Sequence, residues 1–375
     1  MPDYVDINMD IPLGDGFRNP FGPGPTVSVE KGRVINLPSD DDVPVFLVVG
    51  DSTALGMSND TSAAGISDYS SVGFWPTNAE DGSSIGYIWD KWMSGTGAGG
   101  NTITKLAGSL TDTNYSGTDW TPIHPRIGGQ TALYTIDYKA DLTDIRKGGP
   151  APVFDMMYHL SGLFRKSNGD VVVPHVCFMG AASMLLGLPT VTNISFAPDF
   201  GGNFDLFNHF KIAYVRPAIK NLIDAGKNPF LAGLVLQVGS ADALASIDGT
   251  SASATTSYQN IFTAFKDYLG VTTLPTILVT PHGTTPFENS NYLPSATANL
   301  SSAAEGFFRD GQLATFSPQG LVRDSGPLTL PTSKGVHFHA KGNRIIGKMM
   351  AGRYMNMLSW RKGSVIGPTL SGITY

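Results

Sequence analysis

Four short apolar runs, each ended by a turn residue, limit most strongly what this 375-residue chain can fold into. The first is Val45-Phe46-Leu47-Val48-Val49, stopped by Gly50. The others are 171–179 stopped by Gly180, 231–238 stopped by Gly239, and 276–280 stopped by Pro281-His282. They are apolar throughout and rich in β-branched residues, the pattern of parallel strands covered on both faces. Helical patterns lie at 152–164, at 207–225 closed by Gly226, at 257–269 closed by Gly270, and at 340–358. Alternation of this kind predicts an α/β fold built on a doubly wound sheet. Ligands of such sheets sit outside the carboxyl ends of the strands, so the residues just past each run carry the functional information.

Two stretches stand apart from the alternation. Residues 1–43 are rich in Pro and Gly and end in Asp40-Asp41-Asp42. They read as an N-terminal arm that packs on the body or on a second copy in a homo-oligomer, with 44–375 forming one domain. Residues 56–150 read as a long loop-rich insertion after the first strand, with local hairpins. Its Trp75, Trp89, Trp92 and Trp120 either pack in the core or offer stacking faces to sugar rings.

Composition excludes several classes. The net charge of −6 gives no basic face for nucleic acid. No run approaches the ~18 apolar residues of a membrane span. The start of the chain, Met1-Pro2-Asp3-Tyr4-Val5-Asp6, has neither a basic nor an apolar leader segment, so no standard signal peptide is expected. Charged residues are 15%, against ~25% typically. The polar uncharged surface this implies is common on extracellular and virion proteins, and compartment is otherwise unassigned. The single cysteine, Cys177, lies in an apolar run, reads as a small buried hydrophobe and permits no internal disulfide. No P-loop or dinucleotide fingerprint is present, and His337 and His339 have no third partner at metal-like spacing, so neither a cofactor nor a metal is expected. His124, His159, His175, His209 and His282 read as structural, with His124 and His282 in loops placed to border a cleft.

The strand ends themselves read Gly50-Asp51-Ser52, Gly180-Ala181-Ala182-Ser183 and Gly239-Ser240-Ala241-Asp242, and Gly335-Val336-His337-Phe338 precedes the last helix. A serine hydroxyl needs a base to become a nucleophile. Ser52, just past a buried strand, can sit at a helix start where backbone N–H groups favour the charge of a tetrahedral intermediate. Glycines at neighbouring strand ends let further amides approach the same oxygen. His337 can supply the base.

In order and spacing these segments resemble the four blocks of the SGNH (GDSL-type) hydrolases. They are most similar to the branch of sialate O-acetylesterases and carbohydrate esterase family six. Gln237-Val238-Gly239-Ser240-Ala241-Asp242-Ala243 aligns without a gap to that branch's Gln-x-Gly-Glu-Ser-Asp-Ala. Val336-His337-Phe338-His339-Ala340-Lys341-Gly342, followed by Ile346-Gly347, matches its last block. The resemblance covers roughly residues 44–355. It implies a three-layer α/β/α sandwich, flavodoxin-like, with about five parallel strands. It implies Ser52 as nucleophile, His337 as base, and the Ser52 and Gly180 amides as oxyanion donors, with Gly239 and Asp242 at the same site. The implied activity is serine ester hydrolysis, acting on an acylated small molecule or polysaccharide, with removal of O-acetyl groups from a carbohydrate as the leading reaction. The competing readings are a non-catalytic carbohydrate-binding or structural module on a decayed fold, and an esterase or lipase for longer acyl chains.

Two positions depart from the family pattern. Ala241 stands where the superfamily has an oxyanion-donating Asn, a loss that costs ~3 kcal/mol of barrier unless another group, with Gln237 the candidate, replaces it. Lys334 stands where the acid that orients the histidine belongs. The nearest upstream carboxylate is Asp324, and the alternative is a Ser–His dyad held by a main-chain carbonyl.

Overall fold

The first apolar run explains why the molecule is layered. Strand β1 (Asp42–Gly50) alternates its side chains between two faces, and both are buried. Val43, Val45, Leu47 and Val49 enter one apolar cluster together with Phe210, Tyr214, Tyr258 and Phe265. Phe46 and Val48 enter a second, with Met156, Met157, Met350 and Tyr354. Each such side chain contributes about 1.5–3 kcal/mol on leaving water, so helices are drawn onto both faces.

The computed structural model describes residues 34–51, 53–54, 86–89, 120–123, 152–160, 162–180, 206–239, 251–271, 274–279, 313–316 and 340–360, with two-residue strand segments at 4–5, 29–30, 184–185 and 194–195. β1 is central in a seven-stranded sheet. The others are β2 (Gly86–Trp89), β3 (Thr121–Ile123), β4 (His175–Gly180), β5 (Asn228–Gln237), β6 (Thr276–Val279) and β7 (Leu313–Phe316). Their spatial order is β7-β6-β5-β1-β4-β2-β3, and every neighbouring pair is parallel except β2–β3. Helix α1 (Pro152–Leu160) and helix α4 (Ala340–Trp360) cover one face. The other face carries α2 and α3 (Ser251–Leu269). α2 is one helical run: α-helix at Leu206–His209, a π segment at Phe210–Val215, then α-helix at Arg216–Asp224. Pro217 accounts for the π segment. It has no N–H for the carbonyl of residue 213 and its ring crowds that carbonyl, which a wider turn relieves. The architecture is therefore the expected three-layer α/β/α sandwich, with β7-β6-β5-β1-β4-β2 running parallel and β3 antiparallel at the edge.

Several boundaries differ from the sequence pattern for local reasons. α1 stops at Leu160 and not at 164, because the chain turns at Gly162 (φ +83°), a conformation only glycine adopts freely. Phe164–Arg165 then joins Ile35–Asn36 and Val171–Val172 in a separate three-stranded ribbon. The run 171–179 is accordingly two strands. Pro174 has no N–H for a ladder, and only His175 onward enters the main sheet. α3 begins at Ser251, ahead of the expected 257. Within 56–150, Gly86–Trp89 forms β2, parallel beside β4, and Thr121–Ile123 forms β3, antiparallel to β2 at the edge. Residues 35–37 are tied to the segment 163–165, with the Ile35 N–H donating to the Leu163 carbonyl at 2.7 Å and the Leu37 N–H to the Arg165 carbonyl at 2.8 Å. Among the described residues no helix is long and apolar enough to cross a membrane.

Candidate active site

The carboxyl ends of β4, β1 and β5 finish level with one another. Gly180 pairs with Gly50, and Gly50 pairs with Gln237. β4 and β5 flank β1 on opposite sides, and the chain passes from one side to the other between them. This is the switch point of a doubly wound sheet, where outgoing loops diverge and leave a crevice. Three of the four segments that the sequence marks thus meet at one place.

The turn leaving β1 is tightly built. A Cβ on Gly50 would run into the Ala54 side chain and lie 2.9 Å from the Gln237 carbonyl, so the turn folds back only over a glycine. The Asp51 N–H donates to the Gln237 carbonyl at 3.0 Å, and the Ala54 N–H to the Asp51 carbonyl at 3.1 Å. Asp51 Oδ1 accepts from the Thr53 N–H at 2.9 Å and from Thr53 Oγ1 at 2.6 Å. Gln237 Nε2 donates to Thr53 Oγ1 at 3.1 Å. All three side chains are buried. Just past the end of β5, the Val238 carbonyl accepts from the Tyr258 hydroxyl of α3 at 3.1 Å, and Gly239 follows at φ +114°.

Of the residues the sequence nominates, Gly180, Gln237 and Gly239 are thereby at the switch point. Ser52, His337, Asp242 and Asp324 lie outside the described residues, as do Ser240, Ala241, Lys334, His339, His124 and His282. The roles of Asp51 and Thr53 are additions to the sequence reading. Their signal is the Asp-x-Thr spacing, in which a carboxylate bonds the backbone two residues on.

Other reactive groups are occupied elsewhere. His175 starts β4, at the opposite end of that strand from Gly180. Its ring stacks on Tyr87 at 4.8 Å and meets the Trp120 ring at 4.8 Å, while Nδ1 donates to the Val173 carbonyl at 3.3 Å. Burial pushes its pKa down to about 4. Cys177 is fully buried in β4, and burial pushes its thiol far up, so it is inert. Trp89 is buried and Trp120 packs against it, ring to ring at 5.3 Å, which commits both to the core. Trp75 and Trp92 lie outside the described residues.

No protein-family model and no curated protein matches the sequence. Solved structures do match in shape. The crystal structure of NanS is 10% identical, covers 87% of this chain and 100% of its own, and superposes with a TM-score of 0.50. A protein from Arabidopsis thaliana is 13% identical over 84% of this chain and 98% of its own, with a TM-score of 0.48. A carbohydrate acetylesterase family member from Sinorhizobium meliloti is 13% identical over 83% and 100%, with a TM-score of 0.37. At these identities the likeness is one of fold, and it is the NanS superposition that carries it.

Proposed function

We propose that the chain is a serine esterase that removes O-acetyl groups from a carbohydrate. The observation that supports this reading best is the level meeting of β4, β1 and β5 at the switch point, around a turn in which Ser52 stands between the buried residues Asp51 and Thr53. In this reading Ser52 Oγ attacks the ester carbonyl carbon while His337 takes its proton. The Ser52 and Gly180 N–H groups hold the negative oxygen of the tetrahedral intermediate. The intermediate collapses, His337 returns the proton to the leaving sugar hydroxyl, and an acetyl-enzyme remains. Water, deprotonated by His337, repeats the cycle and releases acetate.

Hydrolysis of p-nitrophenyl esters from acetyl to octanoyl, by the wild type and by Ser52→Ala, tests the reading. Ser52→Ala is expected to lose at least ~10³-fold in kcat while keeping its thermal midpoint. Activity is expected to fall as the acyl chain lengthens, and a rise would reassign the substrate to longer acyl esters. Ala241 and Lys334 favour the second reading, a non-catalytic carbohydrate-binding or structural module, and a wild type inert on every ester of the series would establish it in place of the first.

A further inference from the structure

One residue grips the Ser52 turn from both sides. The Gln237 carbonyl takes the Asp51 N–H at 3.0 Å, and its side-chain amide donates to Thr53 Oγ1 at 3.1 Å. Resting on the serine-esterase reading, we propose that Gln237 and Thr53 are a positioning pair for Ser52, with Gln237 acting through Thr53 and not as a direct donor to the oxyanion.

Hydrogen-bond valence gives the pair its direction. The Thr53 hydroxyl has one proton, and it goes to Asp51 Oδ1 at 2.6 Å. Towards β5 the hydroxyl can therefore only accept, so position 237 must donate, which the Gln amide does and a carboxylate cannot. Thr53 adds its own N–H to the same carboxylate oxygen at 2.9 Å, closing the turn across Ser52. Asp51 is 0% exposed, Thr53 2% and Gln237 4%. At that burial no solvent replaces a lost partner, and each bond is stronger than at the surface. A donor to the oxyanion must reach the substrate, whereas this amide is buried and bonded to Thr53. Nucleophile placement is demanding, since a 1 Å error costs about 10²-fold in rate.

The test is a double-mutant cycle on Thr53→Val, Gln237→Met and the pair together, with Thr53→Ser as the conservative control. Three quantities are read: the rate at which a fluorophosphonate labels Ser52, kcat and KM for p-nitrophenyl acetate, and the thermal midpoint. Thr53→Val should slow labelling and kcat by about 10–100-fold with KM within roughly threefold of the wild type. Thr53→Ser should stay within roughly threefold in all three, because the hydroxyl is kept. Gln237→Met should lose as much as Thr53→Val, and the double variant no more than either single one. Losses that multiply in the double variant would show Gln237 acting directly, and overturn the pair. So would a Thr53→Val enzyme labelled at the wild-type rate. If Thr53→Val does not fold, Thr53→Ala takes its place in the cycle with the same expected outcomes. A wild type that is not labelled at Ser52 would bring down the esterase reading itself, and the pair with it.

Discussion

His175 shows how position on a strand decides what a histidine can do. Its ring is closed in by Tyr87 and Trp120, and its folded pKa lies near 4 against 6.5 unperturbed, because burial disfavours the imidazolium. Between those values the unfolded chain binds the proton and the folded one does not, so stability falls as pH drops. The neutral ring's contribution is complete above pH 6.5 and is lost progressively down to about 4. His175→Phe keeps the ring stack and removes the titration. Its thermal midpoint should vary less between pH 7 and 4 than that of the wild type, at a cost of about 1 kcal/mol at neutral pH for the lost bond to the Val173 carbonyl. Parallel midpoint curves for the two proteins would show that His175 does not govern the acid side. The sequence reads this histidine as structural, but its partners Tyr87 and Trp120 come from β2 and from the residue just before β3, distant in sequence, and no local pattern announces them.

Between elements, the contact of α1 with α4 turns on Gly347. A Cβ there would lie 2.6 Å from the Asp155 Cβ and 3.0 Å from the Met156 backbone nitrogen. In an open helix Gly→Ala gains about 1 kcal/mol. Here overpacking against the backbone of α1 costs about 1–3 kcal/mol or more, which outweighs that gain. Gly347→Ala should therefore lower the urea midpoint, and a raised midpoint would contradict the close approach of the helices. The long buried strands were legible because two-sided burial leaves a continuous apolar run, as in β1 and β5. β2 and β7 were not, since each is only 4 residues long and lies among Gly, Ser and Thr. Nor was the bulge in β5, where the register with β1 shifts between Leu231 and Gly233. It is held by the Tyr354 hydroxyl donating to the Ala232 carbonyl at 3.0 Å, a partner from α4 at the far end of the chain.

At the scale of the whole molecule, the crossing from β4 to β5 past β1 makes a switch point at the strand ends, and Gly50, Gly180 and Gln237, which the sequence marks, end level there. That convergence was legible because each strand ends in a residue of unusual kind. The grip of Gln237 on Thr53 was not, because it joins residues 184 positions apart and depends on strand register. The central claim is that Ser52, at this switch point, is an activated nucleophile. Fluorophosphonate labelling followed by fragmentation of the tryptic peptide 34–91 tests it most directly. The account predicts one adduct, on Ser52, formed by the wild type and absent from both Ser52→Ala and His337→Ala. An unlabelled wild type, or an adduct on another serine that persists in Ser52→Ala, would contradict it.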